Sequence, residues 1–461
     1  MFYATHTRDE GQAMPVSPGG GAARRFSFAC LLILSVALPR AGIVVPGLKL
    51  PLPFGFALLH VMFWFTLIVR PLPTGTAGML KPAVYFAGAV LVAAIIGLLR
   101  VASARIMFVD AVTFLGQVPI FFTAVWFIKD RRDAACAMKW LAVSLCFASV
   151  YGIVQYYLGP SVLVPGLTYT AGTTYSLANL PSDDEYLALR KVLSSYGDPN
   201  VFAGALALFI PCLLGWLMTI GKSAGARLRR WLLIAIIVSG CMALFYCNSR
   251  AGFLGLMTGI AVLLYAYPRL SFRVLLLVIA VIWVAHEAGL TGRVVGRMAS
   301  VSYDERRHYP GIGWQIATSH PEGAGLGMHP LATGAFGAPV TLTPARSFWE
   351  TYNSFYLHLL ARTGVIGLLT FLYAVLSYAR RAWRSAGNRL RPHEWQPVTT
   401  GLIAGFLGVQ VALLTNPFYQ LPGGGINLWL GLGLACAIER VASGTGDGMP
   451  YAMAELPEQE P

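Results

Sequence analysis

Residues 291 to 351 hold Arg293, Arg297, Arg306, Arg307, His308, His320, His329, Arg346 and Glu350 between long apolar stretches. Arginine binds oxyanions through a planar fork that keeps its charge at any physiological pH. Imidazole titrates near neutrality, and burial raises a carboxylate toward it, so both suit general acid–base work. A segment with that chemistry is the natural place for an active face. The three histidines lack the tight spacing of metal ligands, so no metal site is expected. Neither a Walker A lysine nor a Rossmann glycine run leading into a helix is present, and no cofactor is expected.

The elements that must position this segment are set by composition. Apolar residues make up 56% of the 461 and charged residues only 12%, with a mean hydropathy of +0.63, whereas a soluble domain carries about 25% charged residues. Crossing the hydrocarbon core takes about 20 apolar residues in a helix. Twelve apolar windows meet or approach that length, at 26–47, 51–69, 82–99, 105–128, 135–158, 199–220, 231–247, 251–267, 273–290, 352–379, 397–416 and 425–440. Pro39-Arg40 interrupts the first. The expected fold is all-α: a polytopic membrane bundle of about 12 transmembrane helices, with a long extracytoplasmic loop containing short helices.

Charge fixes the expected orientation. With the N-terminus inside, the cytoplasmic side collects 21 of the 34 Lys and Arg against 10 of the 20 Asp and Glu, leaving 13 and 10 for the other side. The positive-inside rule favours that arrangement and puts both termini in the cytoplasm. Two long loops, 159–198 and 291–351, then fall outside it. Residues 1–25 and 443–461 read as disordered cytoplasmic tails flanking one transmembrane domain, 26–442. A cleavable signal peptide is the rival reading of the N-terminus, but no convincing small-x-small site follows. The net charge of +14 is spread over short loops rather than gathered on a basic stripe with interleaved aromatics, which argues against nucleic acid. The seven cysteines sit in or beside apolar runs without zinc-site spacing and read as small hydrophobes.

Four segments carry motifs. One is Arg190-Lys191-Val192-Leu193-Ser194-Ser195-Tyr196-Gly197-Asp198-Pro199-Asn200, which runs into an apolar stretch. A second, Asn248-Ser249-Arg250-Ala251-Gly252, forms a polar knot between two windows. The third spans Arg307 to Gly327, with His320-Pro321 followed by Gly323, Gly325 and Gly327. The last is Glu350-Thr351-Tyr352-Asn353-Ser354-Phe355, entering a window that continues Arg362-Thr363-Gly364-Val365-Ile366-Gly367.

In order, spacing and expected side of the membrane, these resemble the O-antigen ligase and polymerase superfamily of bacterial inner-membrane glycosyltransferases. The motif resemblance covers roughly 190–380, and includes an Arg thirteen residues before a His-Pro, here Arg307 and His320. It implies transfer of a glycan from undecaprenyl diphosphate to an acceptor hydroxyl at the periplasmic face of the inner membrane. The partners implied are an undecaprenyl-diphosphate-linked oligosaccharide, an acceptor glycan or glycolipid, membrane lipids, a flippase and a chain-length regulator.

Under the resemblance, Arg250 and Arg307 would hold the diphosphate. Arg190, Lys191, Asn200, Arg306, His320, Arg346 and Asn353 would contact substrate. The chain departs from the family where Tyr352 replaces its His before Asn353. Tyrosine, with a pKa near 10, is a poor base, so Glu350 becomes the expected one, with Tyr352 as a substrate contact. Plainer roles compete: Arg250 as a headgroup anchor, Tyr352 as an interfacial aromatic, Arg190 and Lys191 as partners of Asp183, Asp184 and Glu185. Loss of that His tilts the reading toward a polymerase of O-antigen or exopolysaccharide repeats. A ligase acting on lipid A–core or protein is the alternative. A polysaccharide or lipid-glycan transporter or flippase is the rival from another class, and a flippase should line a central path with charge.

Overall fold

The computed structural model of the chain describes residues 18–45, 50–69, 77–100, 104–159, 192–221, 223–268, 314, 317–327, 354–386, 394–416, 419 and 423–442. Helices dominate: α1 Pro18–Leu32, α2 Phe54–Val69, α3 Ala77–Leu99, α4 Ala104–Leu115, α5 Pro119–Phe127 and α6 Arg131–Leu158. Then follow α7 Pro199–Thr219, α8 Ala224–Cys247, α9 Arg250–Ala266, α10 Phe355–Ala386, α11 Gln396–Leu413 and α12 Gly424–Ala442. Among the described residues, eight spans are long and apolar enough to cross a membrane, and the helices over 54–68 and 250–266 are apolar but shorter. The chain is an all-α, multi-pass membrane bundle. Eleven of the twelve apolar windows carry helix; the remaining one, 273–290, lies outside the described residues.

Helices α7, α11 and α12 form the centre. Backbones approach there through glycine: a Cβ at Gly405 would lie 1.9 Å from the Leu208 carbonyl oxygen, and one at Gly408 2.1 Å from that of Gly255. Small residues at such crossings replace the hydrophobic drive that lipid cannot supply. Helix α3 sits at the periphery and exposes Leu91, Val92, Ile95, Leu98 and Leu99, as a lipid-facing helix should.

The bundle has two chemically distinct ends. At the basic end Asp130 caps α6, Arg24 pairs with Asp133 at 2.5 Å, Arg131 with Glu394 at 3.0 Å, and Arg440 donates to the Val125 and Ile128 carbonyls at 2.6 and 2.8 Å. The opposite end, called here the motif end, gathers the starts of α7, α9, α10 and α12 and the ends of α6 and α8. From α6 to α9 successive helices alternate between the two, and α4 and α5 together make one crossing.

Several expectations need correction. Residues 18–25 are not tail: α1 begins at Pro18, and Arg24 and Arg25 lie in it because Asp133 offers both a carboxylate, the second at 3.5 Å. The first window ends early. A π-helical turn, Ile33–Ala37, runs into Pro39, and the chain leaves as a strand, Gly42–Val45, paired antiparallel with Leu50–Pro53. Pro51 and Pro53 cannot donate, and a two-stranded ribbon needs no donation from them on its open side. Window 105–128 breaks at Gly116–Val118 and restarts with Pro119 at the first helical position. Residues 192–198 are not open loop but a buried turn. Tails 1–17 and 443–461 and loop residues 160–191, 291–313 and 328–350 lie outside the described residues.

Candidate functional site

The first two motifs meet at the motif end. Asp198 caps α7 by accepting from the Asn200 and Val201 N–H groups at 2.8 and 3.0 Å, with Pro199 at the first helical position. Ser249 caps α9 by accepting from the Gly252 N–H at 3.2 Å, and its hydroxyl donates to Asn200 Oδ1 at 2.8 Å. One hydroxyl therefore ties the two helix starts together. Asn248, in the left-handed region at φ 52, turns the chain between α8 and α9. Arg250 follows as the first residue of α9, exposed.

Beneath them the Ser194–Tyr196 turn is bolted down. Gln155 receives the Ser194 N–H at 2.7 Å and donates to the Ser194 carbonyl at 3.2 Å. Ser195 Oγ donates to the Ala37 carbonyl at 2.5 Å, and Tyr196 OH to that of Val36 at 2.8 Å. Asn427 Nδ2 donates to Tyr196 OH at 3.2 Å. This half of the first motif anchors α1, α6, α7 and α12 rather than facing a substrate. Asn200 is half-buried, and its Oδ1 accepts from Ser249.

The third and fourth motifs also meet. Helix α10 is broken at Gly364 (φ 69, ψ −174), which releases carbonyls from the helix ladder. The 320–327 turn fills the break: Ala324 donates to the Ala361 carbonyl at 2.7 Å, Gly325 to that of Arg362 at 3.1 Å, and Val365 to that of Pro321 at 2.9 Å. From the other side, Leu326 donates to the Ala93 carbonyl in α3 at 2.9 Å. Non-helical backbone at such a place persists only when protein buries and satisfies it, and Ala324 and Leu326 are fully buried.

Around this turn lie ionisable groups that sequence reasoning left out of the site. Arg100 donates to Glu322 at 2.6 Å and to the Gly323 carbonyl at 3.0 Å. His320 Nδ1 is 3.1 Å from Glu322 Oε1, so His320 serves the turn. The Glu322 carboxyl is held below its ordinary range, first by its own backbone N–H and then by His320 and Arg100, which makes it a poor proton acceptor. Deeper, Asp110 and Arg362 form a buried ion pair. Asp110, the one Asp inside the apolar windows, and Arg362 well inside another window were the available signal. They sit six and seven residues inside the starts of α4 and α10, about 10 Å at 1.5 Å per residue, so they belong to the motif end rather than to a central charged path.

Of the expected site residues, Arg250, Asn200 and His320 are placed as above. Arg190, Lys191, Arg306, Arg307, Arg346, Glu350, Tyr352 and Asn353 lie outside the described residues. Arg100 and Arg362 are each paired with a carboxylate. Arg250 is paired with none among the described residues. It also sits at the positive end of the α9 dipole, where a cation gains nothing from the helix and an anion would gain from both.

Replacing Ser249 with alanine removes the α9 cap and the link to Asn200, an expected loss of about 1 kcal/mol. Thermal unfolding of the detergent-solubilised protein reads it. Asn200→Ala should overlap with it, so that the double variant loses less than the two singles together; strict additivity would deny the link. A scan against protein-family models and a search of curated protein sequences find no match to this chain.

Proposed function

We propose that the chain is a bacterial inner-membrane glycosyltransferase that takes glycan from undecaprenyl diphosphate at the outer face, with the next lipid-linked repeat unit as acceptor. The observation that carries this reading is Arg250: an exposed cation, paired with no carboxylate among the described residues, on a helix start that the Ser249–Asn200 bond ties to α7. That arrangement suits a doubly charged diphosphate, and the order and spacing of the four motifs supply its class.

In the proposed reaction Arg250 and Arg307 hold the diphosphate. The acceptor hydroxyl attacks the anomeric carbon and gives its proton to Glu350 directly or through a water. The bond from that carbon to phosphate oxygen breaks, its electrons leave with the lipid diphosphate, and the anomeric centre inverts. Arginine contacts that strengthen as the leaving oxygen gains charge lower the barrier selectively. Glu322 does not compete for the base role, because its carboxyl is already engaged by Arg100 and His320.

The test is the envelope glycan profile of a deletion strain complemented with the wild-type gene. Loss of long polymer on deletion, with single repeats still reaching their acceptor, is the expected result. Intact polymer stranded on its lipid carrier would mean a ligase. An unchanged profile would remove the glycosyltransferase reading.

A further inference from the structure

The 320–327 turn is seated by two buried charges that the proposed reaction does not use. Asp110 and Arg362 are 2% and 1% exposed and ion-paired through Asp110 Oδ2. The same oxygen accepts the Gly327 N–H at 2.9 Å. One carboxylate oxygen thus joins α4, α10 and the end of the turn. A pair this deep adds little net stability, because desolvating both charges offsets their attraction and an apolar pair of similar volume often does as well or better. An apolar pair, however, offers the Gly327 N–H no acceptor and selects no single position for the turn. Ionisable residues retained inside membrane helices mark function by default.

We infer that Asp110 and Arg362 are positioning residues that lock the Pro321–Gly327 turn into the break of α10. The inference rests on the functional reading above, since Arg307 precedes His320 by thirteen residues and is proposed to act with Arg250. The lock ties the described turn that follows Arg307 in sequence to α3, α4 and α10.

The experiment uses the full chain, purified in detergent, with the fully buried Ala324 replaced by Cys and maleimide labelling measured above that of the parent with its seven native cysteines. Ala324→Cys alone should label slowly. Adding Asp110→Asn should speed labelling about tenfold or more, while Arg362→Lys, which keeps the charge, should leave it slow. If Asp110→Asn does not yield monodisperse protein, the apolar pair Asp110→Leu/Arg362→Met decides: it should fold and label fast. Slow labelling of that variant overturns the proposal. Polymer output in the complemented strain should be lost with Asp110→Asn and the apolar pair and kept with Arg362→Lys. Fast labelling with undiminished polymer also overturns it, provided Arg250→Ala abolishes polymer. Undiminished polymer in Arg250→Ala would instead remove the diphosphate role of Arg250, and an unchanged profile on deletion would strike the glycosyltransferase reading.

Discussion

Arg250→Ala should lower long-polymer output about 100-fold while leaving the amount of folded protein unchanged. An arginine on a diphosphate makes charge-assisted hydrogen bonds of about 1.5–3 kcal/mol each. Losing about 3 kcal/mol of stabilisation specific to the transition state corresponds to a rate loss of roughly 150-fold. The structural cost should be near zero. Arg250 is exposed, pairs with no described carboxylate, and occupies a helix start where a positive charge is mildly unfavourable. Arg250→Lys should recover part of the loss, since an ammonium keeps the charge but not the bidentate fork. Polymer quantified per unit of monodisperse protein is the measurement. Output that falls only in step with protein abundance would make Arg250 an anchor at the headgroups, and full rescue by alanine would remove its diphosphate role.

Apolar length and charge asymmetry made the span pattern legible, because lipid imposes both on every crossing. The pairing of the first two motifs was half legible. Asp198 and Ser249 are helix-cap types at predicted helix starts, and a cap residue's side chain is confined to that end. Harder to read was anything set by partners distant in sequence. Asp110 and Arg362 are separated by 252 positions, and nothing local to either says the other is opposite. Gly364 belongs to the fourth motif, but the break there is not legible in it, since its cause, the docked 320–327 turn, comes from elsewhere in the chain. The hairpin of 42–45 and 50–53 escaped notice because Ile43-Val44-Val45 extends an apolar window that reads equally well as helix. His320 reads from its His-Pro-Gly setting as a turn residue first and as a substrate contact second, and its closeness to Glu322, itself paired with Arg100, accords with the turn role.

The turn itself should be unforgiving of any side chain at Gly325. Gly325→Ala is expected to remove most of the folded protein. Gly325 sits at φ 93, and a Cβ there would lie 2.4 Å from the Gly97 backbone nitrogen and 2.6 Å from its Cα. A side chain at such φ costs about 1–3 kcal/mol by itself. The overlap adds to this, because its target is backbone: α3 would have to move, at a cost comparable to overpacking a core, about 1–3 kcal/mol. Moving α3 would also strain the Leu326–Ala93 bond and the Arg100 contacts with Glu322 and Gly323. Gly88→Ala is the control. It lies on the same helix with nothing within 4 Å of the added Cβ, and alanine in a helix interior gains up to about 1 kcal/mol over glycine. The monodisperse fraction on size exclusion and the thermal midpoint in detergent should fall sharply for Gly325→Ala and hold or rise for Gly88→Ala. Equal behaviour of the two would mean that the turn is not wedged between α3 and α10, and the positioning role of Asp110 and Arg362 would fall with it.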